Sequence, residues 1–191
     1  MPLDRFFPPE AGGRVARAVR EAEARSLGQI VPVVVERSSR YEEAPWIGGV
    51  LLAALATAVA EVTGVGVTAW QLPFVQLAAG FLGALLSRLG PVRRLLAGKG
   101  HLEDAVRFRA QRAFMENGLA HTGRGTGVLV FASLLEHRAV VLGDHGIHEK
   151  MGDEGWQRAV ETLVAGIRRG DPAAGFCEAV GLVGAKLAEH F

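Results

Sequence analysis

Cysteine is almost absent from this chain of 191 residues, in which Cys177 is the single example. A disulfide within the chain is therefore impossible, and a zinc site built on cysteines is excluded. Cys177 lies in a stretch that is predicted to form an amphipathic helix, where a lone cysteine usually serves packing. We therefore expect no catalytic thiol.

An excess of charge of one sign is also lacking, since 21 Lys and Arg residues face 20 Asp and Glu residues. The formal net charge of +1 provides no overall field to attract nucleic acid or acidic substrates. Nucleic acid is therefore not an expected partner. Residues 1–20 contain no apolar run of the kind that cleavable signal peptides have, so we expect none there.

Charged residues are nearly missing from residues 44–87, where Glu61 is the only one. Two apolar stretches lie inside, over about residues 46–67 and 70–89. A helix of about 20 residues crosses a hydrocarbon core of about 30 Å. We therefore predict a transmembrane helical hairpin over residues 44–90, inserted into a cytoplasmic domain that residues 1–43 and 91–191 form together.

Small and aromatic residues support this hairpin, because glycines permit close helix contact in lipid and indole rings prefer the membrane interface. They are Gly48, Gly49, Gly80, Gly83, Trp46 and Trp70. The alternative is a pair of helices buried in a soluble core. A chain of this length, however, has little other apolar surface with which to cover two such helices.

The distribution of basic residues predicts the topology. Arg37 and Arg40 precede the hairpin and further cations follow it, whereas residues 61–71 at its tip contain no Lys or Arg. The positive-inside rule then places both termini in the cytoplasm, with two helices in a bacterial inner membrane and Glu61 near the outer interface. Anionic lipid head groups are candidate ligands of the cations that follow, although control of topology explains them equally well: Arg88, Arg93, Arg94 and Lys99.

The rest of the chain predicts an α/β fold. Helical periodicity after Pro8 and Pro9 is followed by a β-branched strand over residues 29–36, in which Pro32 favours an edge position. After the hairpin come a helix over residues 102–120, strands over 126–134 and 139–142, a helix capped by Asp153 and ended by Gly170, and a last helix after Asp171. We expect a small mixed sheet with helices on its faces, in which strand 29–36 pairs with strand 127–134.

A polar cluster follows the last predicted strand, and it contains four candidate metal ligands: Asp144, His145, His148 and Glu149. Carboxylate with imidazole suits Zn, Mn or Fe, whereas carboxylate alone suits Ca or Mg. If an ion binds, Asp144 is the first candidate ligand. The alternative is that Asp144 and Gly146 form a tight turn and that the neighbouring side chains are solvated.

A glycine-rich loop over residues 123–127 carries Arg124, a candidate anion ligand. The loop enters a strand, whereas a phosphate-binding loop opens a helix, so a plain connection is the alternative. Ser38 and Ser39 are the nearest approach to a nucleophile, but neither has a glycine elbow or an evident histidine base.

These features together resemble the TPM-domain family, and the hairpin resembles a membrane-bound bacterial subgroup of it. The resemblance rests on Arg14, Ala18, Glu21, Gly28-Gln29-Ile-Val, Gly123-Arg-Gly-Thr-Gly127-Val-Leu-Val-Phe, Glu136, Val140-Val-Leu-Gly-Asp144-His-Gly146-Ile and Trp156. It implies an α/β/α sandwich, and it implies functions that range from acid phosphatase and calcium-binding domain to accessory subunit of membrane proteins. Gln29 stands where an acidic residue often follows the glycine, which speaks against a calcium site.

No pair of activated groups stands at a catalytic spacing in the sequence. We therefore predict a membrane-anchored accessory or protein-interaction module whose partners are membrane lipid and either a membrane protein or further copies of this chain. The alternative is a metal-assisted phosphatase of phosphomonoesters, in which Asp144 holds a divalent ion, Ca or Mg rather than Zn, and Arg124 contacts the phosphate.

Overall fold

The computed structural model describes residues 7–64, 66–121 and 125–190. Its helices are α1 (Pro9–Glu23), α2 (Ala44–Thr63), α3 (Leu72–Leu86), α4 (Gly90–Ala97), α5 (Lys99–Glu116), the short 3-10 helix Leu119–His121, α6 (His145–Arg169) and α7 (Pro172–His190). Its strands are β1 (Gln29–Val35), β2 (Gly127–Ser133) and β3 (Arg138–Gly143). The chain divides into two compact units. The α/β unit contains the described residues up to 39 and from 103 onward, and the hairpin unit contains residues 40–102.

The sheet of the α/β unit has the strand order β1-β2-β3. Strands β1 and β2 are parallel, with Gln29 opposite Gly127 and Val35 opposite Ser133. Strand β3 is antiparallel to β2 and returns from Ser133, which pairs with Arg138. The predicted pairing of the first two strands is therefore confirmed, as are the hairpin of the last two and the α/β class with a mixed sheet.

Both faces of β2 are covered, which explains its uninterrupted run of apolar residues. Val128 and Val130 belong to a core that residues of α1, α6 and α7 complete. Leu129 and Phe131 belong to a second core, to which α5 contributes Val106, Ala110 and Ala113. Helices therefore cover the two faces of the sheet through alternate residues of the same strand.

Strand β1 lies at an edge of the sheet, as Pro32 predicts. The N–H of Gln29 donates to the Thr126 carbonyl toward β2 at 3.2 Å, so the backbone groups of the next residue turn to the open side. There the N–H of Ile30 donates to Glu23 Oε1 at 2.8 Å. Pro32, two residues further along, has no N–H at all.

Helix α6 begins earlier than the sequence predicts. We expected Asp153 to cap it, but Asp144 is the N-cap residue, and the helix is interrupted at Gly152, where φ is 66° and ψ is 160°. A positive φ of this kind favours glycine, which explains why the break falls there. The end at Gly170 is confirmed by its left-handed φ of 82°. The start of α7 is confirmed by the Ala174 N–H, which donates to Asp171 Oδ1 at 3.0 Å.

In the hairpin unit, α2 and α3 pack through their glycines. A Cβ atom added to Gly49 would lie 3.0 Å from the carbonyl oxygen of Gly80, and one added to Gly83 would collide with the backbone of Gly48. The predicted close contact of the two helices through glycine is therefore confirmed.

The second predicted span, over about residues 70–89, is helical from Leu72 to Leu86 and is therefore shorter than predicted. Helix α3 has 15 residues and ends at Leu86, and α4 is bent from it by 101°. Leu89 is extended, with φ −69° and ψ 132°, and Pro91 has no N–H with which to continue the hydrogen-bond ladder of α3. The apolar composition also ends near this break, since Arg88, Arg93 and Arg94 lie within eight residues of Leu86.

Two glycines of α3 provide a matched test of the close helix contact. Gly83→Ala forces the helices apart, because its Cβ meets backbone atoms that cannot move aside, and we expect a loss of about 1–3 kcal/mol in the free energy of unfolding. In Gly80→Ala the nearest atom lies 3.7 Å from the new Cβ, which is ordinary contact, so we expect no loss. Unfolding of the full-length protein in detergent measures both, and equal stability of the two variants would contradict the described packing.

Candidate functional site

Polar side chains meet where the parallel strands β1 and β2 end. In open α/β sheets this carboxyl edge is the favoured place for ligands. Ser38 follows β1, Ser133 is the last residue of β2, and Glu136 lies in the turn to β3. Ser133 is fully buried, and Glu136 is 3% exposed.

Hydrogen bonds join these three residues into a chain that ends on the carboxylate. Ser38 Oγ donates to Ser133 Oγ at 2.8 Å, and Ser133 Oγ donates in turn to Glu136 Oε2. The backbone N–H of Ser38 donates to Glu136 Oε1 at 2.9 Å. Both carboxylate oxygens therefore receive a donor, which is the condition for burying a charged group at moderate cost.

The hydrogen-bond network of Ser38, Ser133 and Glu136 has the geometry of a structural contact rather than that of an activated serine nucleophile. Ser38 and the carboxylate of Glu136 are separated by Ser133, so the carboxylate does not accept the proton of the half-buried hydroxyl directly. The network instead fixes the chain as it leaves β1 against the end of β2. From the sequence, residues 135–138 are only a connection between two predicted strands, and the network is not evident. A serine that ends an apolar strand, three residues before a glutamate, is the one sequence pattern that points to it.

Asp144 lies at the opposite end of the sheet, where β3 passes into α6. Its Oδ1 accepts the His145 N–H at 2.7 Å, its own N–H donates to the Gly127 carbonyl at 2.8 Å, and its carbonyl accepts the Ile147 N–H at 3.1 Å. The tight turn considered for Asp144 and Gly146 is therefore the capped first turn of a helix.

The loop before β2 lies beside this helix start. A Cβ on Gly125, whose φ is 66°, would be 3.4 Å from the backbone nitrogen of Gly146. Thr126 Oγ1 donates to the Leu27 carbonyl at 3.0 Å and so holds the loop to the start of β1. The structure thus brings the end of the glycine-rich loop close to the Asp144 cluster.

The candidate ligands in these two places are only partly described. His145 has an exposed side chain, whereas Arg124 and the side chains of His148 and Glu149 lie outside the described residues. Within residues 7–64, 66–121 and 125–190, no three His, Cys, Asp or Glu side chains are grouped to hold a metal ion. Metal binding by Asp144, His145 and His148, and anion binding by Arg124, stay predictions.

Cys177 is half-buried in α7. Burial raises the pKa of its thiol, and the nearby Arg14 opposes that rise only in part. A raised pKa reduces the thiolate fraction at neutral pH, and the thiolate is the reactive form. This environment supports the expectation that Cys177 serves packing.

The four predicted head-group ligands lie in the hairpin unit. Arg88 follows α3, Arg93 and Arg94 lie in α4, and Lys99 is the first residue of α5. Arg88 and Lys99 are exposed, and the two arginines of α4 are half-buried. The ion pairs of this unit are Arg40–Glu42 and His101–Glu43, so among the described residues none of the four cations has a carboxylate partner.

A cavity of about 220 Å³ opens between α1, β1 and α7. Its lining contains no ionisable side chain and consists of Phe7, Gly12, Val15, Ala16, Pro32, Val34 and Phe176. A pocket of this kind has no group that transfers a proton or holds a metal ion, so it is not a candidate for catalysis.

These features define an α/β domain with a three-stranded mixed sheet, in which a helical hairpin separates β1 from the rest. The model of the TPM domain family matches residues 99–186. Residues 99–186 are therefore similar to the TPM domain, and the resemblance noted in the sequence has support over those residues. Strand β1 precedes the matched region in the sequence and completes its sheet.

A solved structure with a similar fold is the NMR structure of the BA42 protein from the psychrophilic bacterium Bizionia argentinensis sp. nov.. The two chains are 16% identical, with a TM-score of 0.59, over 100% of this chain and 87% of the other. Identity at this level shows a common fold and nothing about activity. No curated protein matches this chain.

The buried network makes a testable prediction. In Glu136→Gln the amide nitrogen replaces one acceptor, so either Ser133 or the Ser38 N–H loses its partner, and we expect the free energy of unfolding to fall by about 1.5–3 kcal/mol. The matched control is Glu178→Gln, which removes an exposed ion pair with Arg169 and changes stability by at most about 1 kcal/mol. Denaturation of both full-length variants by urea, followed by circular dichroism, distinguishes them. A Glu136→Gln protein as stable as the control would contradict the described network.

Proposed function

We propose that the protein is a membrane-anchored TPM-domain protein that serves as an accessory or protein-interaction module of a bacterial inner membrane. One observation carries the proposal. Helix α2 has 20 residues and the composition of a membrane span, yet only 11% of its most apolar 18-residue stretch is buried. A core helix of a soluble protein would be mostly buried, so the surface of α2 requires an apolar environment outside the unit.

The large apolar side chains of α3 are exposed in the same way. Phe74, Leu77 and Phe81 each have at least 65% of their surface exposed. Exposed apolar patches of this extent are rare on soluble monomers. This favours a lipid-facing hairpin over the alternative of two helices buried in a soluble core.

Three polar side chains of the hairpin, those of Thr57, Gln76 and Ser87, form hydrogen bonds within it, as a membrane requires. Thr57 Oγ1 donates to the Ala53 carbonyl at 3.1 Å and accepts from Gln76 Nε2 at 3.0 Å, across the helix pair. Ser87 Oγ donates to the Gly83 carbonyl at 2.6 Å. These bonds remove the cost of taking hydroxyl and amide groups into hydrocarbon.

The charges at the ends of the hairpin support the proposed topology. Cations stand before α2 and after α3, and Glu61 is exposed near the end of α2, close to the tip. Both flanks are then cytoplasmic and the tip faces the other side. Two helices alone cannot enclose a transport pathway, so a role in transport would require further copies or a partner.

An interaction role fits the chemistry of the α/β unit. The Glu136 carboxylate is occupied by the Ser38 and Ser133 network, and Asp144 caps a helix. Glu136 and Asp144, which lie at opposite ends of the sheet, thus each have a structural role. The partner we expect is a membrane protein or a second copy of this chain.

Membrane anchoring predicts a specific effect of charge on α2. The double variant Leu51→Arg/Leu55→Arg places two guanidinium groups on the exposed apolar surface, each at a cost of about 2.5–3.5 kcal/mol near the centre of a span. We expect the protein to move from the carbonate-resistant membrane fraction to the extractable fraction. The control is Phe108→Arg, in which the replaced side chain is 70% exposed on the α/β unit, and it should stay in the membrane. Extraction of the unmodified protein without detergent would contradict the proposal.

A metal-assisted phosphatase remains the second candidate, because the family resemblance includes acid phosphatases. The test is Asp144→Asn, since asparagine caps helices as well as aspartate does but loses the charge that would hold an ion. We expect a phosphatase of this kind to lose metal-dependent hydrolysis of a phosphomonoester in Asp144→Asn and to keep it in Asp171→Asn, the same change at the cap of α7. Absence of turnover by the unmodified protein with Ca, Mg, Mn and Zn would exclude this candidate.

A further inference from the structure

We infer that α4 lies flat in the cytoplasmic interface of the membrane, with its leucines in the acyl boundary and its cations on anionic lipid head groups. The inference rests on the proposed anchoring of the hairpin and goes further. It assigns to residues 88–99 a lipid-binding surface that is distinct from the spanning helices.

The direction of α4 follows from the bend in the hairpin unit. A Cβ on Gly48 would lie 2.6 Å from Ser87 Oγ, so the end of α3 stands level with the first turns of α2. Helix α4 begins three residues later and is bent by 101° from α3. If α3 follows the membrane normal, α4 therefore runs nearly parallel to the membrane plane, at the end of the hairpin where α2 enters.

The residues of α4 are arranged for such a position. At 3.6 residues per turn, Val92, Leu95 and Leu96 fall within an arc of about 100°, and the two arginines of α4 fall outside it. Leu89 lies directly before the helix. Leu89 is 56% exposed and Leu95 is 80% exposed. An amphipathic helix with cations on one side and exposed leucines on the other is the kind that lies in the interfacial plane.

The charge around α4 is of one sign. From residue 62 to residue 102 the sequence contains no Asp or Glu, and its cations are Arg88, Arg93, Arg94 and Lys99. As described above, none of these has a carboxylate partner among the described residues of the unit. Each basic residue held near an anionic leaflet contributes about 1 kcal/mol to binding. The cations, which are unpaired among the described residues, and the exposed leucines of α4 together favour an anionic lipid surface as its binding partner.

The depth of single side chains in the membrane tests this position. The full-length protein with Cys177→Ala carries one nitroxide label at Leu95→Cys, Phe81→Cys or Glu161→Cys and is reconstituted into vesicles of phosphatidylcholine and phosphatidylglycerol. Phe81 reports the proposed spanning helix α3, and Glu161 is an exposed position of the α/β unit. Collision with oxygen, which is enriched in lipid, is compared with collision with a water-soluble nickel chelate.

We expect the label at position 95 to collide with the chelate several-fold less often than the label at 161, but more often than the label at 81. If the label at 95 collides with the chelate as often as the label at 161, while the label at 81 is protected, the inference is overturned and the anchoring is left intact. A label at 95 as deep as that at 81 also overturns it, because α4 would then continue the span. If the label at 81 collides with the chelate as often as the label at 161, the proposed anchoring is itself wrong.

The head-group contact is tested with the same label at position 95. Omitting phosphatidylglycerol, or introducing Arg88→Gln/Arg94→Gln, should raise chelate collisions several-fold, because the cations lose their anionic partners. The matched control Arg168→Gln/Arg169→Gln removes two cations from the end of α6 and should change nothing. Collisions that do not respond to phosphatidylglycerol or to Arg88→Gln/Arg94→Gln would overturn the head-group contact.

Discussion

The parallel pairing of β1 with β2 is the interaction on which the rest of the α/β unit depends. It joins two parts of the chain that the hairpin unit separates: Ser38 and Ser133, which meet beyond the strand ends, are 95 residues apart in sequence. Side-chain bonds close the ladder at both ends, through Thr126 to the Leu27 carbonyl and through Ser38 to Ser133. A slip of one residue would exchange the faces of β1 and break both closures, so the register is fixed twice.

This arrangement explains how the domain accepts a large insertion. The entropy cost of closing a loop grows only slowly with its length, by about 0.6 kcal/mol for each doubling. The hairpin unit also has its own internal packing, because α2 and α3 are in close contact through four glycines: Gly48, Gly49, Gly80 and Gly83. The insertion therefore behaves as a compact body between β1 and α5 rather than as a long flexible loop. The α/β unit keeps its sheet although its first strand lies before the insertion in the sequence.

The parts of this structure that sequence could predict are those whose determinants are local. A β-branched run marks β1, an apolar run marks β2, and Gly170 and Asp171 mark the boundary of α6 and α7. Other features depend on contacts through space or on a single residue. The burial of Glu136 requires Ser38, which is 98 residues away. The bend before α4 depends on the extended backbone at Leu89, next to Pro91. The start of α6 was missed because the helix is interrupted at Gly152 before its apolar periodicity becomes visible.

The open edge of β1 limits how copies of this domain can associate. Of the successive outward positions of the strand, Ile30 has given its N–H to Glu23 and Pro32 has none to give. An incoming extended chain would find two of its carbonyl groups without donors, so growth of the sheet from this side is disfavoured. The proposed membrane anchor would confine the protein to two dimensions, where neighbouring copies would meet often. The outer edge of β1 disfavours pairing between the sheets of such copies. Contacts between neighbouring copies are then left to the helical surfaces.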